Sequence, residues 1–253
     1  MMAREGRGKF VVVDGIDGVG KGVFLDEFVR CAKDEGKRVY DVEKFWKNKN
    51  YHPDIKRMGY LYDVIKTSEP TFMGVGKYIR DELTSKKHTR TYSPQVVMEA
   101  LALDRRMLYE QLVLPALEQG IDVYQSRSFS TSLVYQSQML LNEKLIDSRR
   151  WAMQHILKIP GNAFCYQNPM DFLVVPTIAD VTEAVRRAES REKQDNSVFE
   201  NLEFQLNAKK VYESSDFKRL FKKIDVPITY MDAGRTIEYS KEQAREFYVE
   251  NLR

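Results

Sequence analysis

Four consecutive apolar residues, Phe10-Val11-Val12-Val13, run directly into Asp14-Gly15-Ile16-Asp17-Gly18-Val19-Gly20-Lys21, and a helical pattern follows at once. This order leaves the chain few options. A short unbroken apolar run is the mark of a strand buried on both faces, and such strands belong to parallel sheets with helices on either side. Val23, Phe24, Phe28, Val29 and Ala32 then fall at helical spacing from Gly20 to Lys33, and Gly36 supplies a C-terminal stop. Between strand and helix the residues from Gly15 to Lys21 fit G-x-x-x-x-G-K. Glycines let the backbone wrap a phosphate chain, successive N–H groups and the helix N-terminus face it, and the lysine neutralises its charge. Gly15, Gly18, Val19, Gly20, Lys21, Gly22 and Val23 are therefore the candidate ATP-binding residues.

The rest of the chain repeats the alternation. Further strands are expected at 62–65, 121–124, 171–175 and 227–230. Helices are expected at 75–83, 93–118, 131–141, 148–157, 181–188, 198–212 and 240–252. There is no internal repeat, low-complexity tract or Pro/Gly/Ser linker, so one α/β domain spanning 1–253 is the expectation, with about five parallel strands. The 253 residues suffice for one sizeable core. Lys+Arg 40 against Asp+Glu 37 leaves a net +3, too small a bias to imply nucleic acid or a membrane surface as partner. No apolar run approaches the length of a membrane span, and the N-terminus lacks the apolar core of a secretory signal. Two cysteines, Cys31 and Cys165, make no disulfide framework and fit a reducing compartment. Three scattered histidines argue against a zinc centre or a His-based hydrolytic triad, and no metal-ligand cluster is expected.

Several further motifs fall in a fixed order. FVVVDGIDGVGKG carries an acid, Asp17, inside the loop. Thr67-Ser68-Glu69-Pro70-Thr71 leads into GVGKYIRDEL; Ala102-Leu103-Asp104-Arg105 lies on the long central helix; Ser126-Arg127-Ser128 ends a strand and precedes Ser132-Leu133-Val134-Tyr135-Gln136. Arg187, Arg191 and Asp195 are spaced R-x-x-x-R-x-x-x-D. From about Lys9 onward the chain resembles the thymidylate kinase family through its TREPG, A-x-D-R, D-R-Y, S-L-A-Y-Q and lid segments.

The resemblance implies a P-loop NTP hydrolase-type three-layer fold with a helical lid at about 186–197, cytoplasmic location, homodimerisation through the long helices, and ATP with Mg²⁺. It assigns Lys21, Asp17, Arg127, Arg187 and Arg191 to catalysis. Phosphoryl transfer needs two phosphates held in line with cations where charge spreads, which suits these residue types. Ala233, in Asp232-Ala233-Gly234, is expected beside the adenine. Asp17, Glu69, Leu101, Arg105, Arg127, Ser132, Tyr135 and Gln136 are expected to shape the acceptor pocket. Taken singly, Arg127 reads equally as a surface residue, Arg105 as a salt-bridge partner of Asp104, Tyr135 as a core aromatic, and the arginine pair as a solvated face.

Four departures from the pattern stand out. Gly22 replaces the Ser or Thr hydroxyl that ligates magnesium, and Ser126 replaces an acid near the phosphates. These leave the metal to ATP oxygens, water and Asp17 or Glu69. Leu101 replaces the aromatic that stacks on thymine. An insertion at about 41–59, rich in Lys44, Phe45, Trp46, Lys47, Lys49 and Tyr51, is expected either to supply part of the acceptor pocket, including the missing aromatic, or to serve as a surface decoration or dimer contact. The activity so implied is ATP-dependent phosphorylation of a pyrimidine nucleoside monophosphate, dTMP to dTDP. A deoxynucleoside kinase, or a nucleotide-binding protein with impaired catalysis, are the alternatives the departures leave open.

Overall fold

The computed structural model describes residues 6–58, 61–85, 91–190, 199 and 201–253. Six parallel strands form one sheet: β1 (Phe10–Val13), β2 (Val39–Asp41), β3 (Val64–Ser68), β4 (Asp122–Ser126), β5 (Phe172–Thr177) and β6 (Ile228–Asp232), in the order β2-β3-β4-β1-β5-β6. β1 lies at the centre, fully buried, with Val13 in register with Ser126 on one side and Val174 on the other. The chain reverses its direction of strand addition around β1. The carboxyl ends of β1 and its neighbours therefore flank the crevice where open α/β sheets take ligands.

Five strands stand close to their expected positions. The sixth, β2, is a finding. It is a three-residue edge strand whose residues are all only half-buried, so it lacks the apolar run that marks β1.

Helices cover both faces. On one, Phe28 of α1 (Lys21–Asp34) meets Tyr124 of β4 at 6.2 Å and Phe247 of α13 (Ile237–Asn251) at 5.5 Å between ring centroids. On the other, Phe10 meets Tyr109 at 5.7 Å. Tyr109 ends the long segment that begins with α5 (Pro94–Leu108), turns once as a wide π turn over Tyr109–Val113, and resumes as α6 (Leu114–Glu118). Pro115 accounts for the wide turn, because it has no N–H for the helical bond to the residue four earlier. One apolar core runs through both layers.

The insertion carries α2 (Val42–Trp46) and α3 (Ile55–Met58), the former capped by Asp41, which accepts from Lys44 N at 3.3 Å. α4 (Gly74–Tyr78) follows β3. α7 (Phe129–Asn142) follows β4, and α8 (Arg149–Lys158) and α9 (Pro160–Gln167) pack behind it. α10 (Val181–Glu189) leaves β5, and α11 (Leu202–Tyr212) and α12 (Ser215–Lys222) complete the layer. Ser93, Asp180, Asn201, Ser214 and Thr236 each accept an N–H of their helix's first turn, the usual role of such residues at an N-cap.

Candidate active site

The loop after β1 begins and ends on backbone that favours glycine: φ is +154° at Gly15, +75° at Gly18 and +96° at Gly20, the N-cap of α1. Gly18 is the most constrained of these. A Cβ there would stand 1.7 Å from Ala184 O, so the backbone of α10 rests directly on the loop. Lys21 opens α1 and turns back over the loop, its Nζ donating to Gly15 O at 2.9 Å and Ile16 O at 2.8 Å. Val19 is buried, and Val23 N closes the first turn on Gly20 O at 2.8 Å.

The acid inside the loop is the hub. Asp17 pairs with the Arg127 guanidinium, lies 3.7 Å from Lys21 Nζ, and accepts from Tyr135 OH and Gln205 Nε2, both at 3.2 Å. Burial, which raises a carboxyl pKa, is outweighed by the charges of Arg127 and Lys21, and Asp17 is held down to about 2. Arg127 follows the last residue of β4 with φ +67°, a left-handed turn that aims it back across the sheet end. Its Cζ lies 5.4 Å from the centroid of Tyr135, whose phenol burial pushes up.

A second buried pair sits on the far side of the crevice. Arg105 of α5 donates from Nε to Glu69 Oε2 at 2.6 Å and from Nη2 to Ser128 O at 3.2 Å, with Nη1 on Asn162 Oδ1. Glu69, just past β3, also accepts from Gln125 Nε2 at 3.0 Å. Burial pushes its carboxyl up to about 7, although Arg105 pulls the other way. Asp104, the neighbour expected as Arg105's partner, instead accepts from Thr71 N at 2.8 Å and Thr71 Oγ1 at 2.7 Å.

Between the two pairs lies a cleft that is partly open to solvent. Asp17, Glu69, Leu101, Arg105, Arg127, Ser132, Tyr135 and Gln136, the whole expected acceptor set, line it. The buried Oε1 of Gln136 has no hydrogen-bond partner among the described residues. Arg187 lies apart from the cleft, bonded to Glu183 Oε1 at 3.0 Å and, from Nη1, to Ala233 O at 3.1 Å. It thus joins α10 to the loop after β6 where adenine was expected. Arg191 and Asp195 lie outside the described residues, as does the lid beyond Ser190.

The insertion does not supply the missing aromatic to the cleft. Trp46 is 3% exposed and packed into the core because α2 lies against β3, whereas Tyr51 is 57% exposed beside Phe45. Neither reaches the cleft. Its aromatic walls are Tyr135 and Phe199, which meet edge to face at 5.6 Å.

Sequence reasoning missed Gln205, fully buried on α11. It accepts from Asp17 N at 2.9 Å and Tyr135 OH at 3.2 Å while donating to Phe199 O at 2.9 Å. Arg80 was also missed: it lines the cleft, donates to Pro70 O at 2.9 Å and stacks on Phe72 at 4.0 Å. So was the buried network in which Asp14 accepts from Gly15 N, Ser130, Thr131 and Tyr212. Arg80 was in view within GVGKYIRDEL; Gln205 and Asn162 carry no local signal.

The sequence profile of the thymidylate kinase family matches residues 54–243, three quarters of the chain. The chain belongs to the thymidylate kinase family. The thymidylate kinase of Exiguobacterium sp. is 27% identical over 250 residues, covering 97% of this chain and 96% of that protein. The enzyme of Caldicellulosiruptor saccharolyticus is 26% identical over 241 residues, with 95% of each chain covered. The probable thymidylate kinase of Thermococcus gammatolerans reaches 33% over 153 residues, 58% of this chain and 62% of its own. A solved structure of thymidylate kinase from Candida albicans shares the fold with a TM-score of 0.62, covering 97% of this chain and 93% of that one at 18% identity. Family membership makes the chain a nucleoside monophosphate kinase by class, and ATP is the phosphate donor the family implies.

The residues present do not fit a magnesium ion ligated by protein. Gly22 offers no oxygen, and Ser126 offers a neutral hydroxyl in place of a carboxylate. Asp14, Asp17 and Glu69 are already engaged as described, and no group of three metal-binding side chains occurs among the described residues.

Proposed function

We propose that this member of the family transfers the γ-phosphoryl group of ATP to a pyrimidine deoxynucleoside monophosphate, dTMP yielding dTDP. An oxygen of the acceptor phosphate forms a bond to the γ-phosphorus, the bond to the β–γ bridging oxygen breaks, and ADP leaves. A monophosphate oxygen is already ionised at neutral pH, so this route asks for no general base. The observation that carries the reading is the position of Arg127. It sits between the phosphate loop, which it touches through Asp17, and a cleft lined by every expected acceptor residue. In this reading Lys21 holds the β- and γ-phosphates, Arg127 bridges donor and acceptor, and Arg187 with Arg191 draws the lid over them and excludes water. Arg105, Ser132, Tyr135 and Gln136 seat the nucleoside, against the aliphatic side chain of Leu101.

Mg²⁺ enters in this reading as part of Mg·ATP. A single kinase domain, a cytoplasmic location and a homodimer through the long helices complete the proposal. Val96 and Leu103 on the outer face of α5 are 44% and 52% exposed, which supports that pairing. No described helix is long and apolar enough to cross a membrane.

One observation favours a deoxynucleoside kinase instead: Glu69, with its carboxyl near 7, lines the cleft as a base for a hydroxyl acceptor would. ADP release from Mg·ATP, measured over a panel of nucleoside monophosphates and nucleosides, separates the two. Turnover with dTMP that is lost in Lys21→Ala is the expected result. Turnover with nucleosides alone establishes the second reading and removes the first.

A further inference from the structure

The absent magnesium ligands and the crowded basic residues describe one arrangement. α1 begins Gly20-Lys21-Gly22, and a Cβ placed on Gly22 would meet no atom within 4 Å. Nothing in the packing therefore requires glycine at this position, and a serine or threonine would fit. Ser126 closes β4 in register with Val13 on β1 and with Ser68 on β3. The family carries an acid at the first of these serine positions and an arginine at the second. The two neighbouring strand ends thus present neutral hydroxyls where the family pattern has an acid and an arginine.

The carboxylates that remain at the loop, Asp14 and Asp17, are both engaged by protein groups, Asp14 by Gly15 N, Ser130, Thr131 and Tyr212 and Asp17 by Arg127, Tyr135 and Gln205. Lys21 lies over the loop and Arg127 reaches it from β4. Arg187 braces the loop after β6. The amides of Gly18, Val19 and Gly20 make no hydrogen bond to the described protein, so they are available to phosphate oxygens. Charge-assisted bonds from such groups hold a polyphosphate without a metal bridge to the chain.

We infer that this chain grips the nucleotide polyphosphate without a magnesium ligand of its own, so that its affinity for ADP is nearly independent of Mg²⁺. The ion serves the donor's phosphates and its own waters, and the protein contributes no direct oxygen to it. The inference rests on the ATP-dependent reading above and specifies how that site is built.

Calorimetric titration of the full chain with ADP, once in saturating Mg²⁺ and once in EDTA, tests it. The expected dissociation constants differ by less than about threefold, under 1 kcal/mol. Gly22→Ser restores a hydroxyl where there is room for it and is expected to open a gap of about tenfold or more, while Gly22→Ala, which adds the same carbon without oxygen, does not. Ser126→Ala is expected to leave the wild-type ratio unchanged. A tenfold loss of ADP affinity in EDTA for the wild type overturns the inference, as does a Gly22→Ser protein whose ratio matches that of Gly22→Ala. Equal ADP affinities without turnover of any acceptor would refute the kinase reading and leave the metal-free grip standing. No ADP binding in either buffer removes both.

Discussion

Gly161→Ala is the substitution whose outcome the packing fixes most tightly. Gly161 is the second residue of α9, and it lies on the backbone of α5. A Cβ added to it would stand 2.0 Å from Ala102 O, 2.6 Å from its carbonyl carbon and 3.2 Å from its Cα. Ordinary contact begins near 3.4 Å, so α9 must retreat by roughly 1.4 Å. All three obstructing atoms are backbone, and no side chain can rotate away. The cost belongs at the upper end of the range for overpacking, about 3 kcal/mol. For a chain of this size that corresponds to a fall in Tm of roughly 6–12 °C. The displacement reaches the site as well. Asn162, the next residue, holds Arg105 Nη1, and Arg105 in turn holds Glu69 at 2.6 Å. The acceptor KM should therefore rise severalfold, while ADP affinity stays near that of the wild type, because the partners of Arg105 and Asn162 are Glu69, Ser128 and Ile156 rather than residues of the phosphate loop. Differential scanning calorimetry and initial rates measure the two effects. Gly22→Ala is the matched control; it adds the same methyl to open space and should hold or raise Tm, since alanine is the better helix former. A Gly161→Ala protein melting within about 2 °C of wild type would refute the contact and the argument built on it.

Two further outcomes concern the buried acids. Asp17→Asn leaves the Arg127 cation without its counter-charge, and the depression of the Asp17 carboxyl from 3.8 to about 2 sets the loss near neutral pH at roughly 2–3 kcal/mol. Because this carboxyl is held low, its contribution is complete above 3.8 and fades as pH falls toward 2; urea unfolding of both proteins should show the gap closing over that interval. Glu69 has the opposite sign. Its carboxyl is raised from 4.5 to about 7, so the folded state holds a proton the unfolded state has released, and stability falls with rising pH across that window by up to about 3 kcal/mol. Glu69→Gln should flatten the slope between pH 5 and pH 8, and an unchanged slope would assign it to another group.

The features that could be read from the sequence are those written in consecutive residues. The phosphate loop is a strand, three left-handed glycines and a lysine within twelve positions, and each residue's role follows from its neighbours. Arg127 and Arg105 were placed by motif and the structure adds their partners. β2 escaped because an edge strand of three half-buried residues makes no hydrophobic pattern. Trp46 was misread because a basic, aromatic stretch looks like a binding surface until α2 is laid on β3 and its tryptophan turns inward. Gln205 could not be found by spacing at all. A glutamine within an ordinary amphipathic helix becomes part of the site only through a contact spanning 188 positions.

That last contact governs when the site can exist during synthesis. The phosphate loop is made before every side chain that fixes its acid: Arg127, Tyr135 and Gln205 follow Asp17 by 110, 118 and 188 residues. Contacts of such separation are closed late, after the entropic cost of a long loop has been met by the sheet between them. A nascent chain halted anywhere before α11 therefore carries the complete G-x-x-x-x-G-K sequence with its acid unanchored. The fully braced phosphate loop therefore arrives only with α11, long after the loop itself has been made.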